Sequence, residues 1–187
     1  TVDLSAAPDG SGYLHPTGGD AAGDLIKGFE NITGSSHADH LTGNDSANIL
    51  TGGAGDDILT GGLGADTFVW RLGDQGSTVT PAMDTTDFNV SHGDVLNLHD
   101  LLQGEHDGTG TVSSNLTQYL DFGVESGHVV LLVDHTGGGT FETTQKIVLD
   151  NYASVDALAV DLGLPSGSNT AAILHEMIQN GNLKTDM

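Results

Sequence analysis

Residues 33–68 divide without remainder into four nine-residue phrases, TGSSHADHL, TGNDSANIL, TGGAGDDIL and TGGLGADTF. Thr stands first in each, Gly second, Asp or Asn seventh, and Leu or Phe ninth. A period of nine fits neither the helical repeat of about 3.6 residues nor the strand repeat of about 2. The phrase must therefore be a small supersecondary unit stacked along one axis, because fixed self-similarity of this length marks a solenoid. A Gly-rich linker would lack the ladder of large apolar residues. Upstream, Glu30 and Ile32 continue the spacing in degraded form.

Within a phrase the chemistry divides in two. Gly52, Gly53 and Gly55 remove Cβ atoms where a tight turn needs positive φ. Their carbonyls then point into one concavity, and Asp57 adds a carboxylate. Such hard oxygens suit calcium, which takes six to eight of them at about 2.3–2.6 Å. Magnesium favours a tighter octahedron and its own waters. After the turn, three residues such as Ile58-Leu59-Thr60 suffice for a strand whose centre points opposite to its neighbours. With two phrases per coil, Ile32, Leu50 and Phe68 form one inner column and Leu41 with Leu59 the facing one. Neither column buries its apolar side alone, so stacking makes the core. Loop 34–39 is expected to face loop 52–57, with Asp39 and Asp57 as carboxylate donors. Loop 43–48 is expected to face loop 61–66, with Asn48 and Asp66. An amide oxygen brings no charge, so this second site is expected to be the weaker, with Asp45 and Glu30 as compensation.

Charge points the same way. Among 187 residues, 26 acids oppose 4 bases, a formal net charge of −22. That excess resists compaction at low ionic strength, so either the chain is partly disordered or a cation neutralises it on folding, and the regular apolar positions argue against simple disorder. The scarcity of Lys and Arg excludes nucleic-acid binding, which needs cations against phosphates, and docking on anionic lipid. No apolar run reaches the roughly 18–20 residues of a membrane span. With no cysteine, disulfides and thiolate metal sites are absent. Length fits one ordinary domain, and 36% apolar residues permit a core. Thr1 begins without Met or an apolar leader, as expected of a piece of a longer polypeptide.

The phrases match the G-G-x-G-x-D-x-U-x nonapeptide of RTX proteins. Beyond them GADTFVW, DTTDFNVSHGDVLNLHDLL (84–102), NLTQYLDF, QKIVLDNY and ILHEMIQNGNLKTDM follow in order. Together they resemble the C-terminal region of large bacterial RTX adhesins over roughly residues 25–187. The resemblance implies an all-β fold: a calcium-binding parallel β-roll capped by a C-terminal β-rich region with short helices. It implies irregular N-terminal coils over 1–33, the roll over 34–68, and a cap with an uncleaved secretion signal over 69–187, as one continuous domain. It also implies two or more Ca²⁺ ions and export by a type I secretion system, its inner-membrane ABC transporter and outer-membrane channel being the partners. The expected location is outside the cell or on the bacterial surface, and the expected function is calcium-dependent folding and secretion.

Laid on the phrases, the motif makes Ser35, His37 and Asp39 candidate metal ligands. Gly43, Asn44, Asp45, Ser46 and Asn48 follow, then Gly52, Gly53, Ala54, Gly55 and Asp57, then Gly61, Leu63 and Asp66. Asp84, Asp87 and Asp94 lie where the solenoid must close, since an open end exposes strand edges and core. Asp84 and Asp87 are candidates to complete a last ion site with Asp66; turn capping by Asp is the other reading. Val95, Leu96, Leu98, Leu101 and Leu102 supply an apolar plug.

Further along, strands are expected over 128–134 and 145–150. The intervening Gly137-Gly138-Gly139 lacks the Lys and helix of a phosphate loop. NTAAILHEMIQNG predicts an amphipathic helix with Asn169 or Thr170 as N-cap and Gly181 as C-cap. His37 and His40 have no third nitrogen ligand at helpful spacing, so zinc is not expected. No nucleophile elbow or HExxH motif occurs, and no catalytic residue is expected. The alternatives are an ice- or ligand-binding solenoid, on files formed by Thr33 with Thr51 and Thr42 with Thr60, or the end of a secreted RTX hydrolase.

Overall fold

A computed structural model of the chain describes residues 1–5, 10, 28–102, 116–137 and 140–185. Three-residue strands link the phrases: β2 (Asn31–Thr33) leads into the first, and β3 (His40–Thr42), β4 (Ile49–Thr51) and β5 (Ile58–Thr60) each run from one phrase into the next. The central residue is buried in every one, as period-2 alternation requires. The fourth phrase ends in the longer β6 (Thr67–Arg71).

Strands of alternate phrases pair in parallel, with Ile32 beside Leu50, Leu50 beside Phe68, and Leu41 beside Leu59. The two inner columns therefore form as the spacing predicts. Leu50 has 0% and Leu59 1% of its surface exposed, and burying such a side chain contributes about 1.5–3 kcal/mol. The fold is a parallel β-roll.

Both sheets run on past the repeats. β7 (Ala82–Thr86) lies on β5, and β8 (Val95–Asp100) lies on β6. Phe68 meets Leu96, and Leu59 meets Thr86, whose hydroxyl accepts the Phe88 N–H at 3.2 Å. Leu96, Leu98, Leu101 and Leu102 are buried and Val95 half-buried, so the expected plug is in place. One sheet then continues through β11 (Gln145–Leu149), β10 (His128–Val133) and β9 (Leu120–Glu125), the last two antiparallel. Its order is β1-β3-β5-β7-β11-β10-β9, where β1 is Val2–Asp3; the other sheet is β12-β8-β6-β4-β2, where β12 is Leu183–Lys184.

The VDL segment thus joins the roll, with Val2 beside Leu41. The proposed irregular coil GGDAAGD (18–24), Gly138, Gly139, and the last two residues of the tail lie outside the described residues.

Two helices complete the cap among the described residues. α1 (Val155–Asp161) is N-capped by Ser154, and α2 (Thr170–Gln179) by Asn169, whose side chain accepts the Ala172 N–H. The α2 helix closes on Asn180 rather than Gly181; the glycine follows at φ +80° and frees the Asn182 N–H to reach Met177 O. Ile173, Leu174 and Met177 are buried. Among the described residues, no helix is long and apolar enough to cross a membrane.

Candidate calcium sites

Turns of alternate phrases stack directly upon each other, in the expected pairs. A Cβ on Gly55 would lie 2.8 Å from Ala38 N and from His37 C, and one on Gly53 would strike Ser35 O. On the opposite edge, a Cβ on Gly64 would lie 2.8 Å from Ser46 C, and one on Gly62 would lie 3.1 Å from Asn44 O. Gly53 and Gly64 also sit at φ +98° and +109°. Glycine is needed there twice over, for conformation and for close approach.

The residue at position seven ties each turn to the next coil. Asp39 N–H donates to Asp57 Oδ1 at 2.8 Å, and Asp57 N–H to Asp84 Oδ1 at 2.7 Å. On the other edge, Asn48 N–H donates to Asp66 Oδ1 at 2.7 Å, and Asp66 N–H to Asp94 Oδ1 at 2.9 Å. Two carboxylate ladders therefore climb the edges, and each ends on an aspartate outside the repeats.

One oxygen of each position-seven side chain folds back into its own turn, where the missing Cβ of the position-two glycine leaves room. In the first turn Asp39 Oδ2 accepts the N–H and hydroxyl of Ser35 at 2.7 and 2.8 Å. In the second, Asn48 Oδ1 accepts the Asn44 N–H at 2.7 Å, and its amide donates to Glu30 O at 3.1 Å. Both oxygens share their pocket with a carbonyl of the next coil, that of Gly52 near Gly34 and that of Gly61 near Gly43. In the third and fourth turns the equivalents, Asp57 Oδ2 and Asp66 Oδ2, are buried without any hydrogen-bond partner.

A buried, unpartnered carboxylate oxygen is costly, and its natural compensation is protonation or a cation. Burial accordingly pushes Asp57 up to about 6 and raises Asp66, with backbone hydrogen bonds opposing the shift. Among the described residues no three His, Asp or Glu side chains converge on one point. A site here must draw on backbone carbonyls for the rest of its oxygens, which calcium accepts and zinc does not favour. The residues present therefore fit calcium.

Not every expected ligand is placed alike. Ser35, His37 and Asp39 meet the turn of Gly52, Gly53, Ala54, Gly55 and Asp57; Gly43, Asn44, Ser46 and Asn48 meet that of Gly61 and Asp66. Asp45 is exposed, as is the Leu63 side chain. The grouping of Asp84 with Asp66 does not occur. β7 returns to the sheet of β5, so Asp84 lies beside Asp57, and of these two candidates Asp87 reaches the turn of Asp66. Asp84 Oδ2 takes Trp70 Nε1 at 2.5 Å and Gln145 Nε2 at 3.0 Å. Asp94, Trp70 and Gln145 were not among the candidate ligands. Asp94 recurs 28 residues after Asp66, against 18 between repeats, so a fixed period cannot find it.

Residues 33–68 match the model of the RTX calcium-binding nonapeptide repeat in four copies. This stretch is an RTX calcium-binding repeat module. Among solved structures, the chain is similar to the AlgE6R3 subunit of the mannuronan C5-epimerase of Azotobacter vinelandii. The identity is 21%, the match covers 75% of this chain and 82% of that one, and the TM-score is 0.43. No curated protein matches the chain.

Proposed function

We propose that this chain is a calcium-dependent folding and secretion module of an exported bacterial RTX adhesin. In this reading it is unfolded in the cytosol and folds on meeting calcium outside. The observation that carries the reading is the pair of buried, unpartnered oxygens on Asp57 and Asp66, in a chain of net charge −22. Asp39 and Asp57, with the Gly52 carbonyl, would hold an ion on one edge; Asn48 and the Gly61 carbonyl, with Asp66, would hold one on the other. When bound, calcium supplies the positive charge that lets stacked acidic turns approach.

Extracellular calcium modules work at dissociation constants of about 10⁻⁴–10⁻³ M, far above cytosolic free calcium. An ion that binds only the folded chain stabilises it by about 2.7 kcal/mol at a hundredfold excess over the dissociation constant. Several sites together tip a marginal domain from unfolded to folded. Folding at the exit of a type I channel would then discourage backsliding.

Circular dichroism with calcium and with chelator tests the folding step: strand signal is expected only with calcium. Export of a chain with Asp39, Asp57 and Asp66 all changed to Ala tests the secretion step, and undiminished export would refute it. The ice-binding reading gains no support. Thr51, expected in one of the open threonine files, has only 3% of its surface exposed.

A further inference from the structure

The two edges of the roll end differently. On one, Asp84 is fully engaged by Asp57 N–H, Trp70 and Gln145. On the other, the turn formed by residues 87–94 lies against the fourth repeat turn as a further repeat would. Asp87 Oδ1 and Oδ2 accept the N–H groups of Gly61 and Gly62 at 2.7 and 3.1 Å. Asp94 Oδ1 accepts the Asp66 N–H, its Oδ2 accepts the Asn89 N–H at 2.9 Å, and Gly93 stacks over Ala65.

Between these turns stands Asp66, 0% exposed, with Oδ2 unpartnered and tucked against Gly61, the residue whose N–H Asp87 holds. In the first two turns the equivalent oxygen shares its pocket with a carbonyl of the coil above. The same step upward from Gly61 leads out of the repeats and onto Asp87. Asp87 thus holds the N–H groups of the same turn into which Asp66 Oδ2 folds. Two carboxylates at one turn, one with a stranded oxygen, call for a proton or a cation there.

We infer that the junction of roll and cap holds a divalent-cation site that the nonapeptide does not encode, with Asp66 Oδ2 and the Asp87 carboxylate as its charged ligands. Backbone carbonyls complete it, and the all-oxygen set with two negative charges suits calcium. The inference rests on the reading of the repeats as calcium turns. The cap holds its half of the site in place from a distance. Tyr152 Oη accepts the Val90 N–H at 3.0 Å and donates to Asp161 of α1 at 2.6 Å, and Ser91 Oγ donates to the same carboxylate at 3.0 Å. Ion binding there would couple folding of the repeats to docking of the cap.

Calcium bound per chain, counted by equilibrium dialysis on the whole chain, is expected to fall by one ion, or one affinity class to weaken at least tenfold, in Asp87→Asn. Asn48→Ala is expected to leave that ion in place. Anomalous diffraction from crystals of the unaltered chain grown in calcium decides the matter even if Asp87→Asn does not fold. It should show an ion about 2.3–2.6 Å from Asp66 Oδ2 that is also bound by Asp87. Calcium only between the repeat turns, or an unchanged count and affinity in folded Asp87→Asn, overturns the junction site alone. No calcium bound by the unaltered chain overturns the reading of the repeats with it.

Discussion

Trp70 Nε1 donates to Asp84 Oδ2 at 2.5 Å, carrying a hydrogen bond through the core from the five-stranded sheet to the seven-stranded one. Asp84 is 1% exposed and also holds Gln145 Nε2 and the Asp57 N–H. In Asp84→Asn an NH₂ group would face two N–H donors if the amide oxygen kept the Asp57 bond. Each stranded buried donor costs about 1–3 kcal/mol. Urea unfolding in saturating calcium should show a loss in that range or above it; a change under about 0.5 kcal/mol, the size of a neutral surface change, would contradict the role.

Acidity should partly stand in for calcium. Burial, the largest cause, lifts Asp57 to about 6, Asp84 to about 7 and Asp94 to about 6, from 3.8. The folded state therefore binds protons more tightly than the unfolded one. This contribution to stability is full below 3.8 and is lost as pH rises through 6 to 7. In chelator, the chain should show more strand signal at pH 5 than at pH 8 by circular dichroism. The opposite order would mean that these carboxylates do not oppose folding.

The two edges should differ in calcium affinity. Asp57→Ala removes a buried charge and an oxygen without a partner, whereas Asn48→Ala removes a neutral amide already bonded to Asn44 and Glu30. Isothermal titration should show the larger loss in Asp57→Ala, about tenfold or more, as expected for about 1.4 kcal/mol. Equal losses would dissolve the distinction.

Gly64→Ala and Gly73→Ala separate strain from stacking. Both glycines sit at positive φ, +109° and +103°, so both substitutions cost about 1–2 kcal/mol of backbone strain. A Cβ at Gly73 meets nothing within 4 Å, but one at Gly64 meets the backbone of Ser46 and Ala47. Only Gly64→Ala should weaken calcium binding beyond that strain; matching titrations for the two variants would argue against turn stacking as the basis of the site.

What the sequence made legible is what repeats. The period placed Leu41, Leu50, Leu59 and Phe68 in their columns, and it paired the turns correctly, because stacking translates spacing directly into neighbours. The closing apolar run around Leu96 and the capped helix α2 were also visible, each having its own local pattern. Contacts made once were not. Nothing in DTTDF states that β7 joins the sheet of β5, so the sequence alone groups Asp84 with the wrong edge. The seven-residue α1 is too short to display a helical period, although Ser154 marks its start. Trp70 and Gln145 reach Asp84 over 14 and 61 residues, and only the folded cap brings them together.

The alternation of sheets imposes a parity on this chain. Within the repeats each ladder joins residues 18 apart, so a single nine-residue unit is half a revolution rather than a whole one. Copying one phrase would turn everything downstream by half a revolution and deliver β7 and its Asp84 to the partners of the opposite sheet. Such a roll can lengthen or shorten only in twos, and a cap shaped for one phase cannot be grafted after an odd number of units.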